Sequence, residues 1–161
     1  MATRMQPQGF PSESHDHTRC RSGALACAKK QLAQTGARLT ADREAVLNVL
    51  LAGHQALGAY DIMGQIDWRG RRPAPSVVYR ALDFLVSNGL AHKVESRNAF
   101  MACPSAGHAH KPMILVCTSC GQVAEFEAPA ISRAVTRVAQ DSDFKPVQTT
   151  VEVSGLCGAC A

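Results

Sequence analysis

From residue 23 to residue 89 the apolar side chains recur at helical spacing, and beyond that they alternate or bunch at strand spacing, with one helical interval over 128–140. The stretch GALACAKKQLAQTG reads as a first helix closed by Gly36, with Cys27 on its core side. In LTADREAVLNVLLAG, Thr40 is an N-cap, Val46, Leu47 and Leu50 form an apolar stripe, and Gly53 is the stop. GAYDIMGQIDWRG is a shorter helix ended by Gly70 and the RRPAP turn. In SVVYRALDFLVSNGL, Ser76 is the expected cap and Val78, Leu82 and Leu85 fall at i, i+4 and i+7. Its other face carries Tyr79, Arg80, Asp83 and Ser87, and Gly89 ends it. LAHKVES and NAFMAC then pair as a hairpin around RN.

Helix, turn, capped helix and hairpin in that order predict a winged helix-turn-helix, in which the second helix of the motif enters a major groove. The same pattern also fits a helical bundle in which Arg80 is only a solvated surface residue. After the hairpin, CPSAGHAHKP breaks the periodicity and reads as a hinge. MILVCTSCGQVAEFE follows as strand, turn and strand. APAISRAVTRVAQ is a helix with Ile131, Ala134, Val135 and Val138 along one side, and KPVQTTVEVSG alternates Val147, Thr149, Val151 and Val153 as a last strand. The expected class is therefore α+β. Residues 1–20 form an unstructured tail, 21–103 a winged-helix domain, 104–110 a hinge, and 111–161 a small α/β domain. So short a second unit needs a metal or a partner subunit to be stable.

Composition changes this picture in two places. The 161 residues are 46% hydrophobic and 19% charged, which excludes wholesale disorder. Charge is uneven: residues 1–104 hold 13 Lys and Arg against 8 Asp and Glu, and residues 105–161 hold 4 against 5. The positive excess thus lies on the half that would approach a polyanion. No apolar run nears the ~20 residues that span a bilayer, and MATRMQPQGFPSESHDHTRC lacks the central apolar stretch of a secretory signal. A cytoplasmic address with no membrane contact follows, where thiols stay reduced. Seven cysteines then read as metal ligands before disulfides.

Cys117, Cys120, Cys157 and Cys160 form two C-x2-C pairs across a 36-residue gap. Two turns of this kind present four thiolates to one ion, which suits zinc, with an iron–sulfur centre as the lesser rival. A thioredoxin-like redox pair needs one such motif opening a helix, and neither of these does. A second set is mixed. Cys103 ends the hairpin with His108 and His110 close behind, His92 lies on the facing strand, and Glu125 lies on a strand of the second unit. His92, Cys103, His110 and Glu125 offer two nitrogens, a sulfur and an oxygen, again suited to four-coordinate zinc. An ion held there would fix the angle between the two units. The competing reading makes Cys103 a small buried hydrophobe and the histidines solvated. His15, His17 and Cys20 in HDHTRC have the residue types of a further metal-binding stretch, and read more readily as part of a mobile polar tail, because no ordered scaffold surrounds them.

Together these stretches resemble the ferric uptake regulator family, and within it the zinc uptake regulator branch. VVYRALDFLVSNGLAHKVESRNAFMAC is the most similar segment, joined in order by GARLTADREAVL, LGAYDIM, CTSCGQVAEFE and GLCGAC, so that residues 25–160 are covered. The resemblance implies a zinc-responsive transcriptional repressor of zinc uptake and homeostasis genes. It would act as a homodimer, joined through the second domain, that binds palindromic operators in double-stranded DNA when its regulatory site is filled. It implies structural zinc on Cys117, Cys120, Cys157 and Cys160, and regulatory zinc on His92, Cys103, His110 and Glu125. It also implies DNA contacts from Tyr79 and Arg80, and from Tyr60 and Arg38 on the preceding segments. Lys93 and Arg97 on the wing are expected at phosphates. GHAH is shorter than the histidine run of iron-sensing members, and these tend to lack a cysteine at the position of Cys103, so zinc is favoured over iron. TTVEVSG lacks a histidine that some relatives carry, and no third site is implied. An iron- or peroxide-sensing member of the family, or a redox thiol sensor, is the alternative. No catalytic residue and no small-molecule substrate is expected, since neither donor set pairs an open metal position with a general base.

Overall fold

The computed structural model describes residues 10, 16–66, 70–104 and 112–161, without the side chain of His17. The order of elements is α1 (His17–Thr35), α2 (Ala41–Leu50), α3 (Ala59–Gln65), α4 (Pro75–Ser87), β1 (Ala91–Val94), a 3-10 turn (Glu95–Arg97), β2 (Ala99–Ala102), β3 (Pro112–Cys117), β4 (Val123–Glu127), α5 (Pro129–Asp141) and β5 (Val151–Gly155).

Helix α1 starts inside the stretch expected to be unstructured. The Asp16 carboxylate accepts from the Thr18 and Arg19 backbone N–H groups, satisfying donors that would otherwise face solvent unpaired. The helix buries Ala24, Ala28 and Leu32, a stripe four residues apart. Cys27 falls off that stripe and is exposed, so its expected core placement is corrected. At the far end Gly36, at φ 70°, lets the Ala37 N–H reach back to the Leu32 carbonyl, the closing bond of a Schellman turn.

Val46, Leu47 and Leu50 of α2 pack against Val78, Ala81, Leu82 and Leu85 of α4, with Ala59 and Ile62 of α3 beside them. With Ala28 and Leu32 of α1 and Ala91 and Phe100 of the wing strands they make a single core. Helix α2 stops at Leu50, before the expected Gly53. Helix α3 stops at Gln65; Asp67–Arg69 lie outside the described residues. Helix α4 begins at Pro75, not behind a Ser76 cap, because proline's fixed φ suits a first-turn position whose N–H has no partner in any case. At its other end Leu90 N–H bonds the Leu85 carbonyl past Gly89 at φ 65°.

β1 and β2 pair antiparallel with His92 opposite Met101, and Asn98 at φ 46° turns the chain between them. Leu57 and Phe100 exchange two backbone bonds of 2.9 Å, tying the segment before α3 to this wing. The second sheet has the order β4-β3-β5: β3 meets β4 antiparallel and β5 parallel. β5 is shorter than its alternating pattern suggests, beginning at Val151, and Val147 lies fully exposed outside it.

The two units meet through the wing. Val94 and Met101 of the wing form one buried cluster with Ile114, Val116 and Val123 of the second sheet. Val123 N–H also donates to the His54 carbonyl at 2.9 Å, a backbone bond between the α2–α3 connection and the start of β4.

Candidate functional site

Parallel pairing brings the two C-x2-C motifs together. β3 and β5 run in the same direction with Cys117 opposite Gly155, so the turns that follow them leave the same end of the sheet. One turn holds Cys117 and Cys120, with Gly121 at φ 76° donating to the Cys117 carbonyl. The other holds Cys157 and Cys160, with Cys160 N–H donating to the Cys157 carbonyl at 2.9 Å. Thr118 crosses between them, its N–H bonding the Gly155 carbonyl at 2.8 Å.

The four sulfurs lie within 4.8 Å of one another. Cys120 Sγ and Cys157 Sγ are 3.7 Å apart, against about 3.8 Å for the edge of a tetrahedron with zinc–sulfur bonds of about 2.3 Å. Cys157 N–H points at Cys117 Sγ from 3.4 Å. That bond, with the stronger one from Cys120 N–H, pulls the Cys117 thiol down to about 6. At Cys120 a backbone bond from Gln122 acts downward, but desolvation and the neighbouring thiols win and push it up to about 11. Four sulfurs this close cannot all ionise by themselves; a divalent cation among them removes the conflict. The donor set fits zinc.

The second set also assembles. His92 of β1, Cys103 after β2 and Glu125 of β4 bring one ligand atom each within 4.8 Å of the others. His92 Nε2 stands 3.1 Å from Glu125 Oε2. Cys103 is 2% exposed, and its N–H bonds the Leu90 carbonyl, which extends the wing ladder past β2 and fixes the thiol's direction. Glu125, 5% exposed, is the single buried charged side chain among the described residues. An ionised carboxylate at that depth is stabilised by a nearby cation, and a soft sulfur with an imidazole beside it suits zinc better than a hard ion. His110 and His108 lie outside the described residues, as does His15. Cys20 is half-buried on α1, and burial pushes its thiol up, which disfavours the thiolate a metal needs.

The four expected DNA-contact residues are all exposed, Tyr60 at 68% and Tyr79 at 43%. Tyr79 and Arg80 project from α4 between its buried positions, and Tyr60 opens α3. Sequence reasoning missed Arg43, which lies in a helix whose pattern gives it no distinction. Its guanidinium stacks 3.5 Å from the centre of the Phe84 ring on α4 and donates to the Arg38 carbonyl at 2.6 Å, fixing the Arg38 segment against that helix. Both wing cations have partners within the chain. Lys93 pairs with Glu95 at 2.6 Å, and Arg97 Nη1 turns to the Cys117 carbonyl at 3.5 Å.

Residues 34–154 match the model of the ferric uptake regulator family. The zinc uptake regulation protein of Escherichia coli (strain K12) is 35% identical over 137 residues, covering 84% of this chain and 80% of that one. A zinc uptake regulator solved with zinc and DNA superposes with a TM-score of 0.82 at 34% identity, over 86% of this chain and 93% of the other. The holo form of XcZur superposes with a TM-score of 0.77 at 34% identity, over 86% of this chain and 96% of the other. Its apo form gives 0.50 at 33% identity, over 88% and 98%. On this evidence the chain belongs to the ferric uptake regulator family, on its zinc uptake regulator branch.

Proposed function

We propose that this protein is a zinc-responsive transcriptional repressor, a cytoplasmic homodimer that binds operator DNA when its second donor set is filled and so controls zinc uptake genes. The observation that carries this reading is the origin of that set: His92 and Cys103 come from the wing and Glu125 from the second sheet. Cys117, Cys120, Cys157 and Cys160 hold a permanent zinc that stabilises the small unit. His92, Cys103 and Glu125, with His110, hold an exchangeable one. Zinc supplies there a point of positive charge that accepts lone pairs from all these side chains at once. His92 and Cys103 thereby carry the wing, and the α4 it follows, into a fixed orientation to the second unit. Tyr79 and Arg80 on α4 then meet base edges, while Tyr60 and Arg38 meet the flanking backbone. Arg80 can donate two bonds to one guanine.

The dimer reading draws on the second unit's surface. Val138, Phe144, Val147 and Leu156 are large apolar side chains left exposed, and a partner copy is what would cover them. No helix among the described residues is long and apolar enough to cross a membrane. The better superposition on the holo than on the apo form of XcZur supports taking the described pose as the loaded one.

Zinc per chain, counted before and after mild chelation and paired with DNA-binding titrations against zinc, iron(II) and manganese(II), tests the proposal. One zinc should survive chelation and one should leave, and DNA affinity should fall with the second. A stripped dimer that holds the same duplex as tightly as the loaded one would overturn it.

A further inference from the structure

The regulatory donor set sits at the base of the wing, on His92 and Cys103. The tip of the wing is also attached to the second unit, and by different chemistry. Its 3-10 turn, Glu95–Arg97, begins with backbone N–H groups that have no partner within the turn. The Glu152 carboxylate, on β5, takes both: Oε1 accepts from Glu95 N–H at 2.6 Å and Oε2 from Ser96 N–H at 3.1 Å. At the other end of the turn, Arg97 Nη1 reaches the Cys117 carbonyl. It lies 3.2 Å from where a Cβ on residue 121 would stand, so Gly121 leaves room for it.

We propose that Glu152 and Arg97 are positioning residues that clasp the tip of the wing to the second unit, so that the orientation used for DNA binding is fixed at two points and not by the regulatory set alone. A hairpin held at its base by His92 and Cys103, and along one face by the packing of Val94 and Met101, can still twist at its tip. The tip begins at Glu95, three residues past His92 and just beyond the end of β1, about 10 Å away at strand rise, and a tie there removes the twist. One carboxylate spanning two adjacent N–H groups is a charge-assisted, two-pronged contact, stronger than a neutral bond and specific in direction. Burial works to raise the Glu152 pKa, and the Ser96 and Glu95 donors outweigh it, holding the group below its ordinary value and ionised. Arg97 reaches from the wing to the Cys117 carbonyl at 3.5 Å, a longer and weaker contact than the Glu152 pair. The clasp also removes Arg97 from the expected set of phosphate contacts. This inference rests on the repressor reading only for its consequence; the contact itself can be tested without DNA.

The test uses the full-length, zinc-loaded protein and the variants Glu152→Ala, Glu152→Gln and Arg97→Ala. Residue-resolved amide hydrogen exchange should quicken at Glu95 and Ser96 by about tenfold or more in Glu152→Ala and by less in Glu152→Gln, which keeps one acceptor. The four-cysteine zinc should stay bound in all three, which shows that the second unit is folded. The zinc concentration giving half-maximal DNA binding should rise several-fold in Glu152→Ala and Arg97→Ala, while the slope of log affinity against log salt stays at the wild-type value. Unchanged exchange at Glu95 and Ser96 in Glu152→Ala would overturn the clasp. So would a salt slope shallower by about 0.9 in Arg97→Ala, the loss expected for one phosphate contact. If the wild-type protein fails to bind DNA at all, the repressor reading falls, and the exchange result still decides the clasp.

Discussion

The two donor sets use similar atoms and differ in what they join. Cys117, Cys120, Cys157 and Cys160 sit on two tight turns at one end of one sheet, all inside the second unit. His92, Cys103 and Glu125 are spread over both units. An ion in the first set stabilises a fold, because the unfolded chain has no equivalent site. On the proposed reading, an ion in the second favours one arrangement of parts that are already folded, and its leverage is limited to its differential affinity for the two arrangements. The location of ligands, more than their chemistry, decides between a staple and a switch.

The largest expected effect comes from breaking the first set. Structural zinc sites contribute about 10–16 kcal/mol of apparent binding free energy, so Cys157→Ser should lose the tight zinc and unfold the second unit. Zinc analysis with circular dichroism would read both losses. Breaking the second set should leave the fold alone. Cys103→Ser should keep one tight zinc per chain and lose the zinc dependence of DNA binding. If the ion tightens binding ~100-fold, that variant forfeits about 2.7 kcal/mol of coupling, measured as the ratio of affinities with and without zinc. A variant that still switches with zinc would show the set to be misplaced.

Arg80→Ala separates reading from switching. It should retain both zincs and lose about 1–3 kcal/mol of discrimination between operator and random duplex, seen in competition binding. Smallest of all is Cys27→Ser. This exposed cysteine belongs to neither set, and thermal unfolding should place the change within about 0.5 kcal/mol. A larger shift would mean that cysteine replacement perturbs this protein for reasons unrelated to metal.

What could be read from the chain followed the range of the interaction. The stripe Val78, Leu82 and Leu85 was legible because helical spacing alone sets it, and all three side chains are buried. The four cysteines were legible because a C-x2-C turn states its chemistry within four residues. Ser76 misled as a cap because serine and proline both suit a helix start, and here Pro75 took the first-turn position. Cys27 misled because α1 buries small residues, Ala24 and Ala28, and small residues mark a stripe weakly. Glu152 gave no signal, and Arg97, expected at phosphates, gave none of its contact with the Cys117 carbonyl. Glu152 stands 56 and 57 residues from the N–H groups it holds, and only the parallel placement of β5 brings it there.

That parallel placement also bears on the order of assembly. A hairpin forms from neighbours, so β3 and β4 can pair early and present Cys117 and Cys120 together. The second pair must wait until α5 has crossed and β5 has found β3, a non-local step and so a slow one. Closing the 36-residue gap carries an entropy cost of about 3 kcal/mol beyond a constant, small beside what four thiolates gain on an ion. The two halves of the cage therefore come together late, through the crossover that seats β5 and not through the hairpin.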